Sequence, residues 1–126
     1  MIKLAFLAIA LAPAVAHADK SFNKAGQATT WDCAKDPVVR INHGSGTYTF
    51  TGACTSIKVN GGNHTITIES VDELSVNSGG CTISVGTIGV LRVNGAGNTI
   101  TWKNAKSGDN PETHVNGSGN KIDHAK

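Results

Sequence analysis

Apolar residues in this chain recur in a short, fixed frame. Four segments superimpose: Ile57-Lys-Val-Asn-Gly-Gly-Asn-His-Thr-Ile66, Leu74-Ser-Val-Asn-Ser-Gly-Gly-Cys-Thr-Ile83, Leu91-Arg-Val-Asn-Gly-Ala-Gly-Asn-Thr-Ile100 and Thr113-His-Val-Asn-Gly-Ser-Gly-Asn-Lys-Ile122. The first three begin 17 residues apart. Counted from Ile57, the apolar positions are Ile57, Val59, Ile66, Ile68 and Val71 in one repeat and Leu74, Val76, Ile83, Val85 and Ile88 in the next. A third repeat gives Leu91, Val93, Ile100, Trp102 and Ala105. An earlier one, with an extra residue, gives Val39, Ile41, Tyr48, Phe50 and Ala53. Within each run apolar and polar residues alternate, which predicts strands and not helices. So short a period predicts an all-β, single-domain β-solenoid (β-helix) of about five coils of 17–18 residues. Each coil holds a short strand, an Asn-Gly corner, a longer strand and a second corner. The repeat leaves the handedness of the winding open.

The corners carry their own regularity. Asn60, Asn77, Asn94 and Asn116 recur, as do Gly61, Gly95 and Gly117. Gly and Asn supply the positive φ of tight turns, and stacked Asn side chains can hydrogen-bond along a column. Residues 103–112, with Gly108, Asp109, Asn110 and Pro111, read as a loop insertion. The polar last repeat suits a terminal cap. Residues 19–30 show no period and are expected to be a flexible leader, so the solenoid domain is placed at 31–126, with 31–38 as its other cap.

Residues 1–18 have the pattern of a secretory signal peptide: Lys3, an apolar stretch from Leu4 to Val15, and Ala16-His17-Ala18 as the cleavage signal. Cleavage is expected after Ala18, giving a periplasmic or secreted protein without membrane insertion. The 11 Lys and Arg fall to 10 without Lys3, against 9 Asp and Glu. That balance argues against nucleic acid as a partner. Aromatics are few, and no cofactor is implied.

Three cysteines in an oxidising compartment allow one internal bridge. Cys33 and Cys54 lie about one coil apart, on adjacent rungs ~4.8 Å from each other, within reach of a disulfide. They are the expected pair, with Cys81 a free, buried and inert thiol at a position held elsewhere by His64, Asn98 and Asn120.

The repeats from Trp31 to Ile122, with Cys33 and Cys54 ahead of them, resemble the bacterial domain of unknown function 3060 family, exported proteins with V-x-G-x-x-N-x-V units. The resemblance implies a solenoid and brings no catalytic residues or ligand. Cys81, at an Asn position, departs from the pattern.

Candidate chemistry is sparse. Glu69, Asp72 and Glu73 cluster at one corner, but Gly86, Gly89 and Val90 stand opposite them one coil on. Carboxylate pairs for glycoside hydrolysis need a partner about 5–10 Å away, so a solvated corner is the expectation. His43, His64, His114 and His124 lack metal-ligand spacing, and no metal site is expected. Ser75, Ser78 and Ser84 lie outside any nucleophile elbow.

Two outward strips remain. Thr47 and Thr49, Thr65 and Thr67, Thr82 and Ser84, and Thr99 and Thr101 form a T-x-T ladder on the longer strand. It is similar to the flat face of β-helical ice-binding proteins, although Thr also simply favours strands. The short strand turns out Arg40, Lys58 and Arg92, a basic strip that Ser75 interrupts. The expected function is that of a non-enzymatic structural or binding module, monomeric, whose partner is an envelope protein, a glycan or a surface. An ice- or surface-binding protein using the Thr ladder is the alternative, and a polysaccharide-active enzyme ranks last.

Overall fold

The computed structural model describes residues 20–125. It is a parallel β-solenoid of six windings, one more than the repeats alone suggest. Nine strands form it: β1 (Lys20–Phe22), β2 (Ala28–Asp32), β3 (Val38–Ile41), β4 (Thr47–Asn60), β5 (Thr65–Asn77), β6 (Thr82–Asn94), β7 (Thr99–Ala105), β8 (Glu112–Asn116) and β9 (Lys121–His124). Their order is β1-β3-β4-β5-β6-β7-β9, with β2 on β4 and β8 on β6. Every pairing is parallel. Strands β4, β5 and β6 run through the second corner without a break, so each serves two windings. Among the described residues there is no helix.

The register follows the repeat frame. Ile57 pairs with Leu74 and Leu74 with Leu91; Ile66 pairs with Ile83 and Ile83 with Ile100. Alternation sends these side chains inward, where they form one continuous column of fully buried residues. At ~2 kcal/mol per buried aliphatic side chain, this column is the main favourable contribution to folding. One inward position differs from expectation. Ala53 is exposed, and Cys54 takes the inward place opposite Val71. A bulge after Phe50, with Gly52 at φ 78°, absorbs the extra residue of that coil.

Residues 1–18, the expected signal peptide, lie outside the described residues. The expected flexible leader at 19–30 is corrected: from Lys20 onward it supplies most of the first winding. Lys20 pairs with Val39 and Phe22 with Ile41, while Ala28–Asp32 pairs with Thr47–Thr51. Phe22 is buried and packs on Tyr48 at 5.2 Å between ring centroids. The Lys20 ammonium lies 4.7 Å from the Trp31 ring, its charge at the open end of the column. The 31–38 segment runs from the end of β2 through the second corner of this terminal winding, so it lies at the end of the stack as expected and shares that end with β1 and β2. Cys33 and Cys54 form the expected disulfide across that corner. Residues 106–111 form the surface loop before β8. At the other end His124 stacks on Trp102 at 4.1 Å, and Val115 is left exposed.

Glycine is required where the corners stack backbone on backbone. A Cβ at Gly95 would lie 1.9 Å from the Ser78 carbonyl oxygen, and one at Gly117 would lie 1.8 Å from that of Gly95. Gly46 has another role: a Cβ there would fall 2.4 Å from the Tyr48 ring. Tyr48 is itself an anomaly, since its buried hydroxyl has no protein hydrogen-bond partner, and burial pushes its pKa up.

Two stability outcomes follow. Gly95→Ala should lower the unfolding free energy by about 1–3 kcal/mol through overpacking, read as a lower urea midpoint. Tyr48→Phe removes a desolvated, unpaired hydroxyl and should leave the midpoint unchanged or raise it; a clear drop would reveal a partner for that hydroxyl.

Candidate functional site

The T-x-T ladder is assembled in register. Thr47, Thr65, Thr82 and Thr99 form one file, and Thr49, Thr67, Ser84 and Thr101 a second. They alternate with the buried Ile66, Ile68, Ile83, Val85, Ile100 and Trp102, so their hydroxyls face outward, exposed or half-buried. Hydroxyls stand ~4.8 Å apart between rungs and about 6.6 Å apart along a strand. The first winding extends the second file by Thr30, opposite Thr49, while Ala28 stands opposite Thr47. The last rung closes both files with Lys121 and Asp123, which lie 3.8 Å from each other.

The basic strip is also one file: Arg40, Lys58, Ser75, Arg92 and His114. It is less cationic than its letters suggest. Arg92 pairs with Glu73 at 2.8 Å, and His114 with Glu112 at 2.6 Å. The same contacts consume the acidic corner. Glu73 is held by Arg92, Asp72 by Lys106 from a winding two rungs away, and Glu69 accepts the Gly52 N–H at 2.8 Å. Each carboxylate neutralises a side chain or caps the bulge, and no two of them are left facing a common gap. Among the described residues no three His, Cys, Asp or Glu side chains come together to hold a metal, and no helix is long and apolar enough to cross a membrane.

The corner residues explain themselves structurally. Asn23, Asn42, Asn60, Asn77, Asn94 and Asn116 form an unbroken ladder in which each side-chain amide donates to the preceding Oδ1, at 2.8–3.4 Å. A second, buried file runs beside it. His64 Nδ1 accepts the Gly46 N–H, Asn98 Oδ1 the Cys81 N–H and Asn120 Oδ1 the Asn98 N–H. His64 Nε2 faces the Asn60 carbonyl at 3.4 Å, which suits a neutral ring protonated at Nε2. Cys81 is free and buried, as expected, with its thiol 3.1 Å from the Ser78 hydroxyl. His64, Asn98 and Asn120 satisfy backbone N–H groups, while the Asn ladder and the Cys81–Ser78 contact join side chain to side chain, so each of these positions has its partner within the fold.

The repeat frame did not single out a notch at the edge of the hydroxyl face. Thr67, Glu69, Ser84, Gly86 and Lys103, with Ile68 and Val85, line an open depression of 280 Å³. A larger hollow of 420 Å³ opens at the first winding between Lys20, Phe22, Lys24 and Gln27. The sequence sign of the notch was available: position 13 of successive coils reads Glu69, Gly86, Lys103. Lys103 falls in the span that the sequence reads as a loop insertion, but it lies in β7, which shortens the loop to 106–111.

Residues 41–79 match the model of a family described as protein of unknown function (DUF3060), which bears out the resemblance carried by the repeats. The matched span runs from the end of β3 to the corner after β5. No curated protein and no solved structure matches the chain.

One ionic contact makes a pH-dependent prediction. The His114 hydrogen bond and charge, helped by Arg92, hold the Glu112 carboxyl below the usual glutamate range. Its folded value is therefore depressed, so the contact supports the fold above the unfolded value and is lost as pH falls through the lowered one. In an NMR titration Glu112 should titrate below an ordinary glutamate, and His114→Ala should bring its midpoint back up.

Proposed function

We propose that this chain is an exported, periplasmic, non-enzymatic binding or structural module that makes its contacts through outward solenoid faces. One observation carries the reading. The two hydroxyl files cross four rungs without interruption, whereas Glu69, Asp72 and Glu73, the one cluster suited to acid-base chemistry, each serve the fold. An envelope protein, a glycan or an extended surface can be met by such a face, because its donors and acceptors repeat at fixed spacing along two directions.

A second reading, binding to ice or another crystalline surface, is favoured by the same register. A rigid lattice can match many weak contacts at once only if the protein holds its hydroxyls in a lattice of its own. Four rungs of paired hydroxyls on a stiff sheet meet that requirement, and orienting few new rotamers keeps the entropic cost of each contact low. Fold likeness alone would not carry this reading; the two ordered files do.

The test is adsorption of the exported, oxidised chain to ice, by thermal hysteresis, and to insoluble polysaccharides, by co-sedimentation. Thr67→Lys and Thr99→Lys should abolish whichever adsorption is seen while leaving circular dichroism unchanged. Adsorption that survives both substitutions would remove the hydroxyl face from the function. Turnover of a glycan panel that disappears with Glu69→Gln would instead make the protein an enzyme.

A further inference from the structure

The two ends of the solenoid are complementary and not alike. Along the Asn ladder each side-chain amide donates to the Oδ1 of the winding before it. A ladder with one direction leaves a remainder at each end: among the described residues Asn23 Nδ2 has no acceptor and Asn116 Oδ1 has no donor. The backbone repeats this polarity. From Thr47 on Gln27 to Lys121 on Asn98, the residue that opens each longer strand donates its N–H to a carbonyl of the preceding winding. The series begins at Ala28, whose N–H has no earlier winding to meet, and ends at the Asn120 carbonyl, which has no later one.

The last winding is also poorly covered. β8 is exposed along its whole length. Val115 stands in the inward file, opposite Val93, yet is 42% exposed. Ile122, inward and opposite Ile100, is only half-buried, and His124, stacked on Trp102 at 4.1 Å, is exposed. The charges of this edge do not bar a neighbour, because they are matched within their own rung. Lys121 lies 3.8 Å from Asp123, and His114 lies 2.6 Å from Glu112. Terminal repeats of solenoids usually carry a polar outer face, and an open strand edge is a template for another chain.

We infer that the last winding docks the first winding of a second copy, head to tail, so that copies stack along the solenoid axis. The register that joins windings within the chain fixes the contacts of the joint. Asn23 Nδ2 of the second copy donates to Asn116 Oδ1, and its Ala28 N–H donates to the Asn120 carbonyl. Its Phe22 lies over Val115, its Thr29 over Ile122 and its Trp31 over His124. The Lys20 ammonium, 4.7 Å from the Trp31 ring in the single chain, yields that ring to His124 and turns to Glu112. Lys20 stands over Thr113, which puts its Cα about 6 Å from that of Glu112. Two tails joined to each other would pair antiparallel strands and break every file. A head-to-tail contact does not close on itself, so its product is an open filament and not the monomer expected from the sequence. Six rungs of ~4.8 Å give an axial repeat of about 29 Å. The joint uses strand edges alone and needs no part of the hydroxyl face.

The experiment is sedimentation velocity of the exported, oxidised chain from about 10 μM to about 1 mM. The weight-average sedimentation coefficient should rise continuously with concentration and pass the dimer without a plateau. Val115→Arg spoils the tail, because its guanidinium meets Phe22 and Lys20, and Lys20→Glu spoils the head by facing Glu112. Val115 is exposed and Lys20 half-buried, so circular dichroism of both variants should match that of the parent. Each variant alone should lose association by about tenfold or more. Mixed in equal amounts, the intact head of Val115→Arg meets the intact tail of Lys20→Glu, and a dimer of one of each should form with nothing larger. The inference is overturned by a monomer at every concentration, by full association of Val115→Arg, or by a mixture that stays monomeric. A plateau at the dimer, kept in Lys20→Glu alone, would overturn it in favour of tail-to-tail pairing.

Discussion

In-register parallel stacking is the constraint on which the rest of this protein depends. Each winding borrows its backbone hydrogen bonds from the windings before and after it, so no strand is satisfied alone. Because the register is held at zero shift between equivalent residues, every position sits over its own counterpart ~4.8 Å away. Any side chain that cannot tolerate its own kind at that distance is excluded. Ile, Val and Leu pass this test inside, Thr and Asn outside, and Gly at the corners where even a Cβ meets a carbonyl oxygen.

The constraint also explains how the 106 described residues acquire both a core and ordered surfaces. A single Asn at a corner would be an ordinary turn residue. Six of them in file, from Asn23 to Asn116, become a ladder with a uniform direction, each amide donating toward the N-terminal end. The buried file next to it works by function and not by identity, since His64, Asn98 and Asn120 all offer an acceptor to a backbone N–H of the previous winding. Cys81 fills the same volume with a thiol. The disulfide at Cys33–Cys54 closes the end where the repeat is least regular and where a bulge interrupts the register; a crosslink of that kind contributes about 2–4 kcal/mol.

Stacking turns local charge into structure as well. A carboxylate on one rung lies within reach of cations one or two rungs away, and the acidic corner is spent in this manner. Glu73 and Asp72 reach Arg92 and Lys106, and Glu69 reaches back to Gly52. The hydroxyl files, where no such closure occurs, are made by side chains on strands, whose positions are fixed by the ladder.

How far the letters alone reach can be judged from particular residues. Periodicity located the inward files from Ile57 to Trp102, the Cys33–Cys54 pair, the buried Cys81, the Asn column and the two hydroxyl files, because in a solenoid position in the period is position in space. It failed where that equivalence lapses. Phe22, Asn23 and Trp31 hold proper places in a winding, but without a Val-Asn-Gly turn near them they carry no visible period, and only pairing with β3 and β4 reveals their role. Ala53 and Cys54 exchanged places because a bulge is a backbone event that composition does not announce. Arg92 in the basic strip is neutralised for another reason: ion pairs form between residues 19 positions apart, as Arg92 and Glu73 do, and depend on which way a side chain leans. The sequence by itself determined what repeats, and hence the fold and its faces; the tertiary structure decided which charges meet and which gaps stay open, since those depend on distances across rungs that no single period contains.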